Sequence, residues 1–127
     1  MKISTFIVLA LIAGILFIQF SPAEQISKEQ ASIYPVAVKA VIDKKCYGCH
    51  SVKGKSQDAK DALMWDSLPG LPKIKIVATL DDMIEVLEKN EMPPEEVVKK
   101  YPEMRLLPEE NELLRSWAEV KADSLLK

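Results

Sequence analysis

Cys46-Tyr47-Gly48-Cys49-His50 uses both cysteines and the sole histidine of a 127-residue chain. No other feature narrows the possible folds as much. A C-x-x-C-H run reads as the attachment site of a covalent haem: the two thiols become thioethers to porphyrin vinyl groups, and the histidine behind them lies beneath the iron as its proximal ligand. Five residues thus specify one haem c, its orientation and one axial bond. Other chemistries of a C-x-x-C pair fit less well. A structural zinc site takes about four protein ligands, and the sequence offers a single Cys-Cys-His cluster. A thioredoxin-like couple sits in a βαβ pattern, which is missing here. A disulfide over so short a loop removes little chain entropy and leaves His50 without a role.

The N-terminus carries Lys2 and then 13 residues without a polar side chain, Phe6 to Ile18. This fits the apolar region of an export signal. As a helix it would span about 20 Å at ~1.5 Å per residue, short of a roughly 30 Å hydrocarbon core. Ser21-Pro22-Ala23 places small residues where a signal peptidase reads, so cleavage after Ala23 is expected. The alternative is a retained membrane anchor through residues 3–20, about 27 Å long. Residues 1–23 are therefore a signal peptide or anchor, 24–32 a short polar tether and 33–127 the folded domain. Without residues 1–23 the chain keeps 16 basic and 19 acidic residues, a formal charge of −3. The charges are interspersed, and nothing suggests a nucleic-acid partner. A domain of about 100 residues has a marginal core of its own, which a buried porphyrin would enlarge.

The pattern predicts an all-α domain of three main helices joined by loops that wrap the haem. Ile33–Lys45 is a first helix, with Pro35 in its first turn and Val38, Val41 and Ile42 on one face. Ser51–Thr79 is punctuated by Gly54, Pro69, Gly70 and Pro72 and reads as irregular, with one or two helical turns within Ser56–Met64. Thr79 opens a second helix with Asp82 three residues on, a variant of the capping box. Leu80, Met83, Ile84 and Leu87 supply its apolar face. That helix frays near Asn90, ahead of Met92-Pro93-Pro94. A short helix over Pro94–Tyr101 follows. Pro108 starts the last helix, whose expected buried stripe is Leu113, Leu114, Trp117 and Val120.

With one histidine, bis-histidine ligation within the chain is excluded, and methionine, lysine or no residue takes the sixth iron position. Met83 reads as core, Met64 as packing beside Trp65, and Met104 as a connector. Met92 lies in a helix-terminating loop, where Pro93-Pro94 restricts the backbone. That rigidity suits a weak thioether ligand, whose bond must outweigh its ordering entropy. His50 and Met92 are therefore the expected axial pair. Trp65, through its indole N–H toward a haem propionate, and Pro93 are possible haem-packing residues. Trp117 reads as helix packing. Lys53, Lys55, Lys73 and Lys75 read as a solvated loop face, with a docking patch at the haem edge as the alternative.

Cys46–His50, Met92-Pro93-Pro94, and a final helix with Leu113-Leu114 and Trp117-Ala118 together resemble class I c-type cytochromes. Within them the chain is similar to the small bacterial haem-binding-domain family over roughly residues 33–122. The resemblance implies an exported single-haem module in which first and last helices pack together above the haem. Those proteins often carry Tyr-Pro-Trp soon after the attachment site. Here that stretch reads Ser51-Val52-Lys53-Gly54-Lys55, and Trp65 comes later.

The expectation is a mono-haem electron carrier rather than an enzyme, with weak peroxidase activity left open. It would serve redox partner proteins in the periplasm or the membrane. The alternative is a haem-based sensor or binding module for a small ligand, with a weak or open sixth site.

Overall fold

The computed structural model describes residues 33–127. The signal or anchor segment and the tether expected over residues 1–32 lie outside the described residues. Among the described residues there are five α-helices and no strand, so the domain is all-α. None of these helices is long and apolar enough to cross a membrane.

Helix α1, Val36–Val41, is shorter than the Ile33–Lys45 span expected. Pro35 stands before it in extended backbone rather than within its first turn. The chain then continues as a wider π-type turn over Ile42–Cys46. Val38, Val41 and Ile42 are buried as their spacing predicts, and Lys45, one further turn along, is buried with them.

Helix α2, Gln57–Ala62, supplies the helical turns expected between residues 56 and 64. Ser56 Oγ caps it, accepting the Ala59 N–H at 3.2 Å. Helix α3, Lys73–Glu88, begins directly after Pro72. Thr79 therefore lies inside the helix and is no cap, which corrects the sequence reading. Lys73 and Lys75 accordingly stand on the first turn of α3 and not on a loop. The apolar face extends back from Leu80 through Val77 and Ile76. The β-branched residues at 74, 76 and 77 obscure this, because they suit a strand as well. At a true N-cap, Thr→Ala costs about 1 kcal/mol. At an interior position it gains up to about 0.7 kcal/mol of helix propensity. Thr79→Ala is thus expected to leave the urea midpoint unchanged or slightly raised.

Helix α3 ends in a capped stop rather than by fraying. Asn90 adopts a left-handed φ of 55°. The Glu91 N–H donates to the Val86 carbonyl at 2.9 Å and the Asn90 N–H to that of Leu87 at 3.2 Å. This is a Schellman arrangement with asparagine in the left-handed position. It sets where Met92 leaves the helix. The Met92–Pro93 peptide bond is cis. Helix α4, Glu95–Lys100, then buries Val98, and a short turn over Pro102–Met104 leads on.

Helix α5, Pro108–Leu126, is entered through Glu110, whose carboxylate accepts the Leu107 N–H at 2.9 Å. This is one half of a capping box; leucine has no side-chain acceptor for the other. Helices α3 and α5 form the main packed pair, and α1 packs on α5. The buried stripe of α5 is Leu114, Ala118 and Ala122. Leu113 and Trp117 are half-buried, and Val120 is 67 % exposed, against expectation. Ala118 and Ala122 are buried all the same, and small residues carry little weight in a hydrophobic pattern. The rings of Tyr34, Trp65 and Trp117 meet with centroids 5.6 to 6.3 Å apart and join the start of the domain to α5.

Candidate functional site

Residues 46, 49 and 50 stand at i, i+3 and i+4, the spacing that puts side chains on one face of a helical coil. The backbone keeps that coil through the turn. The Tyr47 N–H reaches the Ile42 carbonyl at 2.9 Å, one residue wider than α spacing. The Cys46 carbonyl then accepts N–H groups from both Cys49, at 3.1 Å, and His50, at 3.0 Å. Cys46, Cys49 and His50 consequently line a common cleft.

That cleft has two adjoining parts of about 590 and 410 Å³. Cys46, His50, Leu87 and Met92 border both. The larger part extends over Leu63, Trp65, Thr79 and Asp82, and the smaller over Cys49, Pro93, Pro94 and Val97. All six residues singled out from the sequence, Cys46, Cys49, His50, Trp65, Met92 and Pro93, therefore border this cleft. Met83 and Met104 border one part each. Met104 is thus more than a connector, although among the described methionines Met92 alone borders both parts.

His50 Nδ1 lies 2.9 Å from the Leu63 carbonyl oxygen. A carbonyl only accepts, so Nδ1 carries the proton in this contact, and in the neutral ring Nε2 is then the nitrogen with the lone pair. A backbone carbonyl on one ring nitrogen is the usual orienting partner of a metal-bound histidine. Leu63 was not singled out from the sequence, since a main-chain acceptor leaves no side-chain signature. The segment after it is tied back to the same turn. The Trp65 N–H donates to the His50 carbonyl at 3.0 Å, and the Tyr34 hydroxyl donates to the Trp65 carbonyl at 2.9 Å.

Trp65 is 4 % exposed, and its indole Nε1 is buried without a hydrogen-bonding partner. An unmet buried donor of this kind costs about 1–3 kcal/mol. Trp65 also borders the larger part of the cleft. Burial pushes the Cys46 thiol up to about 12, helped by the Glu110 carboxylate and then by Cys49. A thiol so raised stays protonated near neutrality, the reverse of the depressed value that makes a C-x-x-C cysteine reactive.

The donor set suits an iron porphyrin: two thiols and an imidazole with a free Nε2 from one turn, and a thioether from another. Among the described residues no group of three or more His, Cys, Asp or Glu is placed to hold a bare metal ion. A macrocycle brings its own equatorial donors and asks the chain for axial ligands only. No protein-family model, curated protein or solved structure matches this chain.

Proposed function

We propose that this protein is a mono-haem c-type cytochrome that carries single electrons. The observation that carries the proposal is the cleft bordered by Cys46, Cys49 and His50 together with Met92, with His50 Nδ1 already committed to the Leu63 carbonyl. The haem, once attached, supplies a one-electron iron couple. The chain's residues do the rest. Cys46 and Cys49 would hold the group covalently, each S–H adding across a vinyl double bond with sulfur on one carbon and hydrogen on the other, so that no net oxidation is needed. His50, with Nδ1 engaged by the Leu63 carbonyl, would hold the iron through Nε2, and Met92 would offer its thioether as a second ligand. A methionine ligand raises the potential relative to a stronger donor. The apolar walls, including Leu87 and Leu114, restrict water at the cofactor and tune the potential further. Trp65 would donate its unmet N–H to an acceptor on the cofactor, such as a propionate.

In this reading the protein is an exported carrier and not an enzyme. Attachment takes place outside the cytoplasm, and the segment over residues 3–20 delivers the chain there or tethers it. Its partners are redox proteins of the periplasm or membrane.

Optical spectra of the haem-loaded protein, oxidised and reduced, test the proposal beside Met92→Ala. The expected result is a low-spin spectrum with the weak sulfur-to-iron charge-transfer band, and loss of that band in the variant. A high-spin spectrum that responds to carbon monoxide and ignores the substitution would replace the carrier with an open-site binding module. Met83→Ala and Met104→Ala controls decide whether a neighbouring methionine holds the position instead.

A further inference from the structure

Tyr47 occupies the first variable position between the two cysteines, where only steric compatibility is required of it. Its hydroxyl nevertheless donates to the carboxylate of Asp66, 19 residues away. The same carboxylate accepts the Val52 N–H at 2.8 Å. One side chain thus clamps the attachment turn on both sides of His50. Two hydrogen bonds to main-chain carbonyls lie between: His50 Nδ1 to the Leu63 carbonyl, and the Trp65 N–H to the His50 carbonyl. Asp66 directly follows Trp65 and stands three residues from Leu63. The Tyr47 side chain is not among the residues that border the cleft, and its bond to Asp66 is exposed. The Asp66 carboxyl is held below its usual range, first by the Tyr47 hydroxyl and then by the Val52 N–H. The bond is therefore charge-assisted, the stronger class of hydrogen bond. Lys39 Nζ lies 5.8 Å from the Tyr47 ring centroid and helps fix the ring.

We infer that Tyr47 and Asp66 form an outer clasp that presses the Leu63 carbonyl onto His50 Nδ1, and so set the donor strength of His50 toward the iron. The inference rests on the haem reading above. A carbonyl held close to Nδ1–H draws that proton away and leaves Nε2 more electron-rich, which favours ferric over ferrous iron. When the clasp opens, the carbonyl is free to withdraw and the preference weakens. Tyr47 and Asp66 are positioning residues, since neither touches the cleft.

The test compares Tyr47→Phe and Asp66→Asn with the parent, all as haem-loaded protein. Tyr47→Phe keeps the ring, its contact with Lys39 and the Asp66 charge, and removes the hydroxyl alone. Two readouts separate a positioning role from a structural one: the reduction potential, and hydrogen exchange at His50 Nδ1–H in the reduced state. Both variants are expected to raise the potential and to speed that exchange about three- to tenfold, as loss of one charge-assisted hydrogen bond implies. A shift in Asp66→Asn alone, erased by high salt, would reduce the effect to the carboxylate's charge and overturn the clasp. So would unchanged potential and exchange in Tyr47→Phe. Failure of the haem reading is distinct, because the parent protein itself would then lack covalent haem or the His50-ligated spectrum.

Discussion

Gly54→Ala is expected to cost at least about 3 kcal/mol and, on the haem reading proposed above, to cut covalent haem content sharply. Gly48→Ala is expected to change stability by no more than about 0.5 kcal/mol. A Cβ built at residue 54 would stand 2.1 Å from the Cys49 carbonyl oxygen, 2.8 Å from its carbon and 3.0 Å from the Ser51 carbonyl oxygen. All three are backbone atoms, so no rotamer change relieves the overlap. Gly54 has no positive φ. The glycine is demanded by contact and not by backbone conformation. Its own N–H closes the turn on the Ser51 carbonyl at 2.8 Å, and Ser51 is buried. Relief therefore requires moving Cys49, and His50 moves with it. At residue 48 an added Cβ meets nothing within 4 Å. For a domain of about 95 residues, a loss of about 3 kcal/mol lowers Tm by roughly 12–24 °C. Thermal unfolding and haem content of the two variants, measured side by side, check this. A Gly54→Ala protein that melts with its parent and keeps its haem would show that the turn yields at little cost.

That pair of glycines marks where the sequence is legible and where it is not. Gly48 lies inside the motif and Gly54 just after it, and pattern says of neither what lies opposite its α-carbon, where the two differ. The same holds for the candidate site. Cys46, Cys49 and His50 are readable because helical spacing alone puts them on one face. Met92 is readable because two prolines fix where a helix must stop. Asn90 as the residue that caps α3 was open to prediction too, since asparagine tolerates the left-handed conformation. The Leu63 carbonyl and the Tyr47–Asp66 bond were not, because they join segments 13 and 19 residues apart through a main-chain oxygen and an exposed carboxylate. Among the helices, the start of α3 was hidden by Ile74, Ile76 and Val77, which suit helix or strand alike. The stripe of α5 was read in part: Leu114 is buried as expected, while Val120 is exposed and Ala118 and Ala122, too small to weigh in a hydrophobic pattern, are buried. The all-α character came through because no segment alternates with a period of two.

Lys45 carries the second large effect. Lys45→Met is expected to cost about 3–5 kcal/mol, as loss of two hydrogen bonds from a buried charged donor implies. Glu110→Gln is expected to cost less than about 1 kcal/mol. Helical spacing places Lys45 seven residues from Val38, on the face that buries Val41 and Ile42, so a charge occupies an apolar register. Its side chain is only 6 % exposed. The ammonium group donates to the carbonyls of Glu103, at 2.5 Å, and Arg105, at 2.9 Å. Hydrogen bonds from a charged donor contribute about 1.5–3 kcal/mol each. The Glu110 carboxylate is 3.6 Å away, beyond hydrogen-bonding range, and it is already engaged by the Leu107 N–H. Glutamine retains an acceptor for that N–H and loses only the longer Coulomb contact. Methionine keeps the bulk of lysine and abandons both carbonyls. Denaturant unfolding of the two single variants and the double variant separates these contributions. Equal losses in the two singles, with no further loss in the double, would assign the energy to the ion pair instead. The carbonyls belong to the segment that carries Met104 and Leu106 into the cleft wall. Lys45 therefore ties the attachment turn to the wall beside Met92, and Lys45→Met should weaken the Met92-dependent charge-transfer band as well as the fold. Glu110→Gln, which leaves both carbonyl bonds intact, should not.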